Sequence, residues 1–204
     1  VQNLLVSHPK LWDLDFPYRY TVETIIKKGG KTIDKYLTPF GIRSVKFDKD
    51  KGFFLNNKHL KLKGMCLHQD AGCLGTAVPD RAYERRLLIL KEFGTNAIRC
   101  SHNPPSPEFL NYCDSIGFLV IDEAFDKWKS GYYEEFFDSS WQQDISDMVI
   151  RDRNHPSVIL WSIGNELAEA KLKDDTGIER AGMLQDFVHQ LDPSRLVMLA
   201  LQPG

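Results

Sequence analysis

Polar and apolar residues alternate along the first fifty residues of the chain. Between Tyr18 and Ile26 every second position is Tyr, Val, Thr or Ile, and the segment from Phe40 to Phe47 repeats the alternation. A period of two is typical of a strand with one buried face. The sequence KKGGK indicates a turn after the first run, and KDKG and NN indicate a small hairpin within 48–60. We therefore predict antiparallel β structure for residues 1–50, which is too short for a complete sandwich and resembles its last strands.

From Lys61 onward, short apolar runs alternate with segments of helical periodicity. The predicted strands are LKLKGMCLH, NAIRCSH, FLVIDE, VILWS and RLVMLAL, and the predicted helices lie near 80–94, 106–117, 139–152 and 176–191. Asp80 and Ser106 are the predicted N-caps of the first two helices, and Gly94 and Gly117 their stops. In the fourth helix Ile178 is expected to face inward together with other apolar residues.

This order of elements predicts a parallel α/β fold with right-handed crossovers. Alternation alone does not separate a barrel from a doubly wound sheet, but no GxGxxG follows the first strand, which counts against a dinucleotide-binding fold. A complete barrel has eight strands, and this chain has five. The prediction is therefore the N-terminal part of a (β/α)8 TIM barrel, about five βα units, spanning residues 51–204.

Composition and charge narrow the classes of function. The chain has 204 residues, 26 Lys and Arg against 28 Asp and Glu, and a formal charge of −2, as in ordinary soluble globular proteins. No basic block suggests a nucleic-acid partner, and no apolar run approaches the roughly 18 residues that cross a bilayer. The four cysteines lack CxxC spacing and do not decide the compartment, which we leave open as the cytoplasm or periplasm of a bacterium.

Polar side chains follow the end of every predicted strand. In parallel α/β barrels the carboxyl ends of the strands form one mouth, where active sites are built. Carboxylate, amide and imidazole groups there, with indole rings nearby, suit a polyhydroxylated ligand, because hydroxyls need donors and acceptors and sugar rings stack on aromatics. The strand-end residues are His68, Asp70, Ser101, His102, Asn103, Asp122, Glu123, Asp126, Asn165, Glu166 and Gln202, with Trp128 and Trp161 nearby.

Other interpretations of these residues remain open at this point. His68 and Asp70 have the spacing of a metal pair, although no third ligand follows at convincing spacing. Arg99 either holds a carboxylate in the mouth or pairs structurally with Asp122 or Glu123. The polar segment RDRNHP precedes its strand, so Asp152, Asn154 and His155 are expected at the entry end of the sheet, where they would stabilise the turn.

Four segments of the chain are informative together: GIRSV, LNN-x-H-x-x-L-K-G-x-x-x-H-x-D, NAIRCSHNPPSPEFLNYCDSIGFLVIDEAFD and RDRNHPSVILWSIGNE. With these segments the chain resembles glycoside hydrolase family 2, and the match runs from Trp12 onward. The resemblance implies an immunoglobulin-like β-sandwich ending near residue 50, then a catalytic barrel of retaining mechanism. It further implies that Glu166 is the general acid/base and that Asn165 contacts the hydroxyl next to the reacting carbon. Arg99 would support the nucleophile. The predicted substrate-binding residues are His68, Asp70, Arg99, His102, Asp126, Trp128 and Asn165.

The family nucleophile lies at the end of the seventh strand, which this chain does not reach, and Glu123 is not assigned to that role. Some members bind magnesium through Glu-x-His after the third strand; Asp126-Lys127-Trp128 stands there in this chain, so no metal or other cofactor is predicted. The segments HQDAGCLGTAV and EAFDKW are most similar to bacterial β-galactosidases.

The expected function is thus a β-galactosidase. The alternatives are a β-glucuronidase or β-mannosidase, a non-catalytic carbohydrate-binding protein, and a metal-dependent barrel hydrolase. The expected partners are a carbohydrate substrate, the rest of the same polypeptide and, as a further possibility, a second copy of the chain. With one of two carboxylates present, the 204-residue chain is not expected to work as a glycosidase alone.

Overall fold

The computed structural model describes residues 3–167 and 176–202. The strands within these ranges are β1 (Tyr20–Lys28), β2 (Lys31–Phe40), β3 (Val45–Asp48), β4 (Gly52–Leu55), β5 (Lys58–His59), β6 (Gly64–His68), β7 (Ala97–Ser101), β8 (Leu119–Glu123), β9 (Val158–Ser162) and β10 (Leu196–Met198). The α-helices are α1 (Asp80–Glu92), α2 (Pro107–Ile116), α3 (Glu134–Asp152) and α4 (Thr176–Leu191). None of these helices is long and apolar enough to cross a membrane.

The N-terminal strands form an antiparallel hairpin in which β1 pairs with β2. The strand predicted from Phe40 to Phe47 is wrong for residues 41–44. Strand β2 starts directly after the two-glycine turn and already ends at Phe40, and β3 begins only at Val45. Residues 41–44 instead cross the entry end of the parallel sheet. There the Arg43 guanidinium donates hydrogen bonds to the carbonyl oxygens of Pro156 and Val158.

Strands β3, β4 and β5 form a small antiparallel sheet beneath the parallel one. Its predicted NN turn is confirmed, since Asn56 and Asn57 have φ of 51° and 63°, values that Asn adopts more readily than most residues. Asn56 donates a 3.0 Å hydrogen bond to the carbonyl of Trp12, and the fully buried Trp12 indole donates one of 2.8 Å to the carbonyl of Asp114. This layer closes the inner core: Trp12, Phe53, Leu55, Ala97, Leu119, Ile159 and Leu160.

The larger sheet is parallel and has the order β10-β9-β8-β7-β6, which confirms the predicted partial barrel. Side chains alternate along each strand, as the pleat requires. Ala97 and Leu119 pack in the inner core, whereas Ile98 and Val120 pack in a second core under the helices. The last inward positions, at the carboxyl ends of the strands, are polar, and they build the site described below.

The helix termini follow the predicted chemistry with local differences. In α2 the Ser106 hydroxyl accepts a 3.2 Å hydrogen bond from the amide of Phe109, and Gly117 ends the helix with φ of 84°. In α1 the N-cap is Pro79 instead of Asp80, which is the first helical residue and remains a favourable charge in the first turn.

Two helical predictions are wrong in detail. Helix α3 begins at Glu134, not near 139, because a short 3-10 turn over Gly131–Tyr133 leads directly into it. Ile178 of α4 is 65% exposed, whereas Leu184 is fully buried. Six residues correspond to about 1.7 helical turns, which rotates Ile178 away from the buried face that Leu184 marks.

Candidate active site

Glu123 is the centre of a hydrogen-bonded network at the carboxyl ends of β7, β8 and β9. Its side chain has no exposed surface. One oxygen, Oε2, accepts hydrogen bonds from Arg99 Nε at 2.9 Å and Nη2 at 2.6 Å, and from the Ser162 hydroxyl at 2.6 Å. The other, Oε1, lies 2.6 Å from His102 Nδ1. A buried carboxylate is costly unless its oxygens are paired in this way. Arg99 therefore pairs with Glu123, one of the two acidic residues that the sequence offered.

Arg99 also connects this network to the residue before Glu166. Its Nη2 donates a 3.0 Å hydrogen bond to Asn165 Oδ1, and Asn165 Nδ2 donates one of 2.9 Å to Asp126 Oδ1. The backbone amide of Asn165 donates to the carbonyl of Asp126 at 2.6 Å. Burial opposes ionisation of Asp126, but hydrogen bonds from Lys127 and Asn165 outweigh it and lower the pKa of this carboxyl. Asn165 is thus fixed between a cation and an anion, with its amide orientation defined.

Glu166 lies beyond the end of β9, and its carboxylate is exposed to solvent. The backbone has φ of 47°, in the left-handed region that few non-glycine residues occupy, and the side chain is 60% exposed. Lys127 Nζ lies 3.6 Å from Glu166 Oε2. The same ammonium donates hydrogen bonds of 2.8 Å to Asp126 Oδ1 and 3.1 Å to the Asn165 carbonyl. Glu166 is therefore the most exposed carboxylate of the cluster, ahead of Asp126 at 49% and in contrast to the fully buried Glu123.

Two histidines form one side of the cluster. The rings of His68 and His102 meet edge to face with centroids 5.2 Å apart. Because Nδ1 of His102 faces Glu123, its ring plane is held by a buried carboxylate. His68, at the end of β6, is exposed within the part of the chain that the structure describes. These imidazoles can offer both donors and acceptors to a polar ligand.

A magnesium site between Asp126 and Glu166 does not fit these side chains. The Lys127 ammonium bridges Asp126 and Glu166, so a positive charge already stands between the carboxylates that would bind the ion. Among residues 3–167 and 176–202 no group of three or more His, Cys, Asp or Glu side chains is placed to hold a metal. His68, Asp70 and His102 accordingly do not assemble into the ligand set of a metal-dependent hydrolase.

Some predicted site residues lie apart from this network. The Arg86 guanidinium donates a 2.6 Å hydrogen bond to the carbonyl of Asp70 and lies 4.0 Å from its carboxylate, on the α1 side of the loop. Trp128 has no exposed surface, and its indole donates to the carbonyl of Ile163 at 2.6 Å. Trp161 is equally buried and donates to Asp192 at 3.0 Å. Both indoles pack in the second core, under the helices, so neither has a free face for a sugar.

The remaining polar residues also separate by position. Asp122 points outward to the helices, next to Asp152, because it alternates with the inward Glu123. His155 Nδ1 lies 2.7 Å from Asp114 Oδ2 near the end of α2, and the Ser157 amide donates to the same carboxylate at 3.1 Å. His155 therefore lies outside the Glu123 network, as expected for a residue at the entry end.

Sequence reasoning missed two members of the site. Ser162 is only the last residue of the predicted strand VILWS, yet it pairs in register with Glu123, so both occupy the last inward position of neighbouring strands. The signal available in the sequence was that Glu123 and Ser162 are the last residues of two neighbouring predicted strands. Lys127 gave no signal of its own, because its contacts with Asn165 and Glu166 join segments about 38 residues apart.

The fold and this cluster define a protein of the parallel α/β-barrel class, with its polar groups at the carboxyl ends of the strands. Residues 45–202 match the profile "Glycosyl hydrolases family 2, TIM barrel domain", and residues 1–43 match "Glycosyl hydrolases family 2". The chain therefore belongs to glycosyl hydrolases family 2.

Known relatives agree with this assignment. A β-galactosidase from Bacteroides ovatus is 49% identical over 195 residues, which cover 92% of this chain and 23% of the relative. A putative β-glucuronidase from Formosa agariphila is 42% identical over 198 residues, covering 95% and 18%. A family 2 structure from Bacteroides cellulosilyticus superposes with a TM-score of 0.90 and 46% identity, covering 95% of this chain and 25% of that one. The chain thus spans about a quarter of the length of the relatives it matches.

Proposed function

We propose that this chain supplies the acid/base half of a retaining β-glycosidase that acts on β-galactosides. The observation that carries the proposal is the contrast between two carboxylates at neighbouring strand ends. Glu166 is exposed at the mouth, whereas Glu123 is buried with both oxygens paired. A group that exchanges protons with a substrate must be accessible, and a group that orders its neighbours need not be.

The reaction requires a second carboxylate, about 5–5.5 Å from the first in retaining enzymes. In the first step this nucleophile attacks the anomeric carbon, the glycosidic C–O bond breaks, and Glu166 gives its proton to the departing oxygen. In the second step water attacks the anomeric carbon, Glu166 takes a proton from that water, and the bond to the nucleophile breaks. Glu166 then returns to its protonated form. We place the nucleophile on a later strand of the complete barrel. We use the term intact enzyme for the polypeptide that contains both these residues and the rest of that barrel.

The network around Glu123 is suited to hold the sugar and the nucleophile. Arg99, His102 and Asn165 are each fixed by a hydrogen bond, directly or through Arg99, to one buried anion. Such pre-organisation costs nothing at the moment of reaction, which is how electrostatic stabilisation becomes effective. In the proposal Asn165 contacts the hydroxyl next to the reacting carbon, Arg99 supports the nucleophile, and the two histidines contact other hydroxyls. Carbohydrate is thus the proposed partner.

The choice of β-galactoside rests on the relatives. The relative at 49% identity is named a β-galactosidase and the one at 42% a putative β-glucuronidase. We expect the intact enzyme to hydrolyse p-nitrophenyl β-galactoside with a higher kcat/KM than the matching β-glucuronide and β-mannoside. A higher kcat/KM for the glucuronide would contradict the proposed β-galactoside specificity while leaving the glycosidase assignment in place.

Glu166→Gln tests the acid/base role. In the intact enzyme this change should lower kcat/KM by about 10²–10⁴-fold for alkyl or phenyl β-galactosides, whose leaving groups need a proton. For dinitrophenyl β-galactoside, whose leaving group departs without one, kcat/KM should stay within a few-fold. Glu108→Gln, an exposed change at the start of α2, is the matched control and should alter neither. An equal loss on both substrate types would contradict the role.

A further inference from the structure

Lys127 is the cation nearest to Glu166 among the described residues, and its contacts are specific. An ammonium has three N–H donors. Here Nζ donates hydrogen bonds of 2.8 Å to Asp126 Oδ1 and 3.1 Å to the Asn165 carbonyl, and Glu166 Oε2 lies 3.6 Å from it. The Lys127 side chain is 25% exposed and that of Glu166 60%, so the lysine is held against the protein while the carboxylate stays open to solvent. The ammonium therefore joins the loop after β8 to the end of β9.

The backbone of Glu166 needs such support. A non-glycine residue in the left-handed region costs on the order of 1 kcal/mol or more and persists where surrounding contacts impose it. On the C-terminal side the amide of Leu167 donates a 3.2 Å hydrogen bond to the carbonyl of Ala200. On the side of β8, Lys127 contacts both the Asn165 carbonyl and the Glu166 carboxylate. Lys127 thus reaches the backbone and the side chain of the same short segment.

We propose that Lys127 is a positioning residue for the acid/base carboxylate. It acts through Glu166: it orients the protonated carboxyl group toward the departing oxygen in the first step and the carboxylate toward the attacking water in the second. The ammonium stays charged throughout and exchanges no proton with the substrate. This inference rests on the proposed function of Glu166 and adds the residue that aims it.

The position of Lys127 in the loop is also informative. Lys129, two residues later, is 39% exposed, and its ammonium bonds to Asp138 of α3 at 2.6 Å. The two lysines therefore share a loop and a charge, and Lys129 pairs with α3 whereas Lys127 pairs with the segment that follows β9. Replacing each by methionine removes the same charge from the same loop, which makes Lys129→Met a matched control.

The test measures the intact enzyme on two substrates. Lys127→Met should lower kcat/KM for a phenyl β-galactoside by about 10–100-fold, the scale expected when a reacting group is slightly misplaced. For dinitrophenyl β-galactoside kcat/KM should change by less than about threefold, because that first step needs little help from Glu166. Lys127→Arg, which keeps a charged donor, should recover most of the loss, and Lys129→Met should show none.

A double-mutant cycle separates positioning from general damage. If Lys127 acts through Glu166, Lys127→Met should have no further effect on the phenyl substrate when Glu166 is already Gln. Multiplicative losses, or equal losses on both substrates in the single variant, would overturn the proposal even where thermal unfolding is unchanged. The proposed function would fail separately, if Glu166→Gln alone lowered kcat/KM equally for the phenyl and the dinitrophenyl substrate.

Discussion

At the scale of single residues, the site depends on one buried charge. Glu123 has no exposed surface and faces Arg99, Ser162 and His102. Removing one partner of a buried ion pair leaves the other uncompensated, which typically costs about 3–5 kcal/mol. We therefore expect Glu123→Gln to lower the free energy of unfolding by that amount in urea denaturation.

Glu135→Gln, an exposed change in the first turn of α3, is the control for Glu123→Gln and should cost less than about 0.5 kcal/mol. If Glu123→Gln is as stable as this control, the network does not hold the fold. Hydrolysis lost with unchanged stability would instead point to Glu123 as the nucleophile, contrary to the structural role that its buried, fully paired carboxylate indicates.

A second residue-scale prediction concerns the carboxyl pair under the helices. Burial, followed by the neighbouring Asp152 carboxylate, raises the pKa of Asp122 well above its usual range. The folded chain then keeps a proton that the unfolded chain has released above about pH 4. The stability contributed by this proton is complete below that pH and is lost as pH rises through the folded pKa, by up to about 1.4 kcal/mol per pH unit.

Asp122→Asn removes this titration and keeps the shape of the side chain. We expect the free energy of unfolding of this variant, relative to that of the unmodified protein, to rise as the pH increases above about 4, the unfolded pKa of the carboxyl group. Asp50→Asn in the exposed turn between β3 and β4 is the control and should give curves parallel to those of the unmodified protein. Parallel curves for Asp122→Asn as well would show that folding does not raise the pKa of Asp122.

At the scale of elements, helix α2 is the clearest case of local sequence deciding structure. The Ser106 hydroxyl caps its first turn, and Gly117 ends it where a Cβ would lie 2.3 Å from the carbonyl oxygen of Leu14. Ser106→Ala should lower the free energy of unfolding by about 1 kcal/mol. Ser115→Ala, on the exposed face of the same helix, should cost less, and equal costs would mean that the cap contributes nothing specific.

The elements also show what the sequence could and could not reveal. Helical periodicity and caps predicted α2 and α4 closely, because both signals are local. The start of α3 and the extent of β2 were wrong, since a 3-10 turn and the hairpin partner decide them. Strand-end polarity identified Glu166, Asn165 and His102. It could not show that Trp128 is fully buried, because burial depends on packing between distant segments.

At the scale of the whole molecule, the described strands form an open sheet. Within residues 3–167 and 176–202, β6 and β10 pair on one side only, whereas a barrel joins its first and last strands. We expect the isolated 204-residue polypeptide to show no turnover of dinitrophenyl β-galactoside, because one carboxylate cannot run a double displacement. The intact enzyme is the positive control. Turnover by the isolated polypeptide would place both carboxylates within these residues.

The proposed role of Glu166 as the acid/base of a retaining mechanism predicts which product the Glu166→Ala variant of the intact enzyme forms with azide. Azide needs no general base, so it can attack the glycosyl-enzyme intermediate in the space that the carboxylate leaves. Attack from that face gives the β-galactosyl azide, with a rate on dinitrophenyl β-galactoside that rises with azide concentration, and proton NMR identifies the anomer. We expect the β-azide. Formation of the α-azide would show that Glu166 is the nucleophile, and an azide-independent rate with no azide product would show that it is neither.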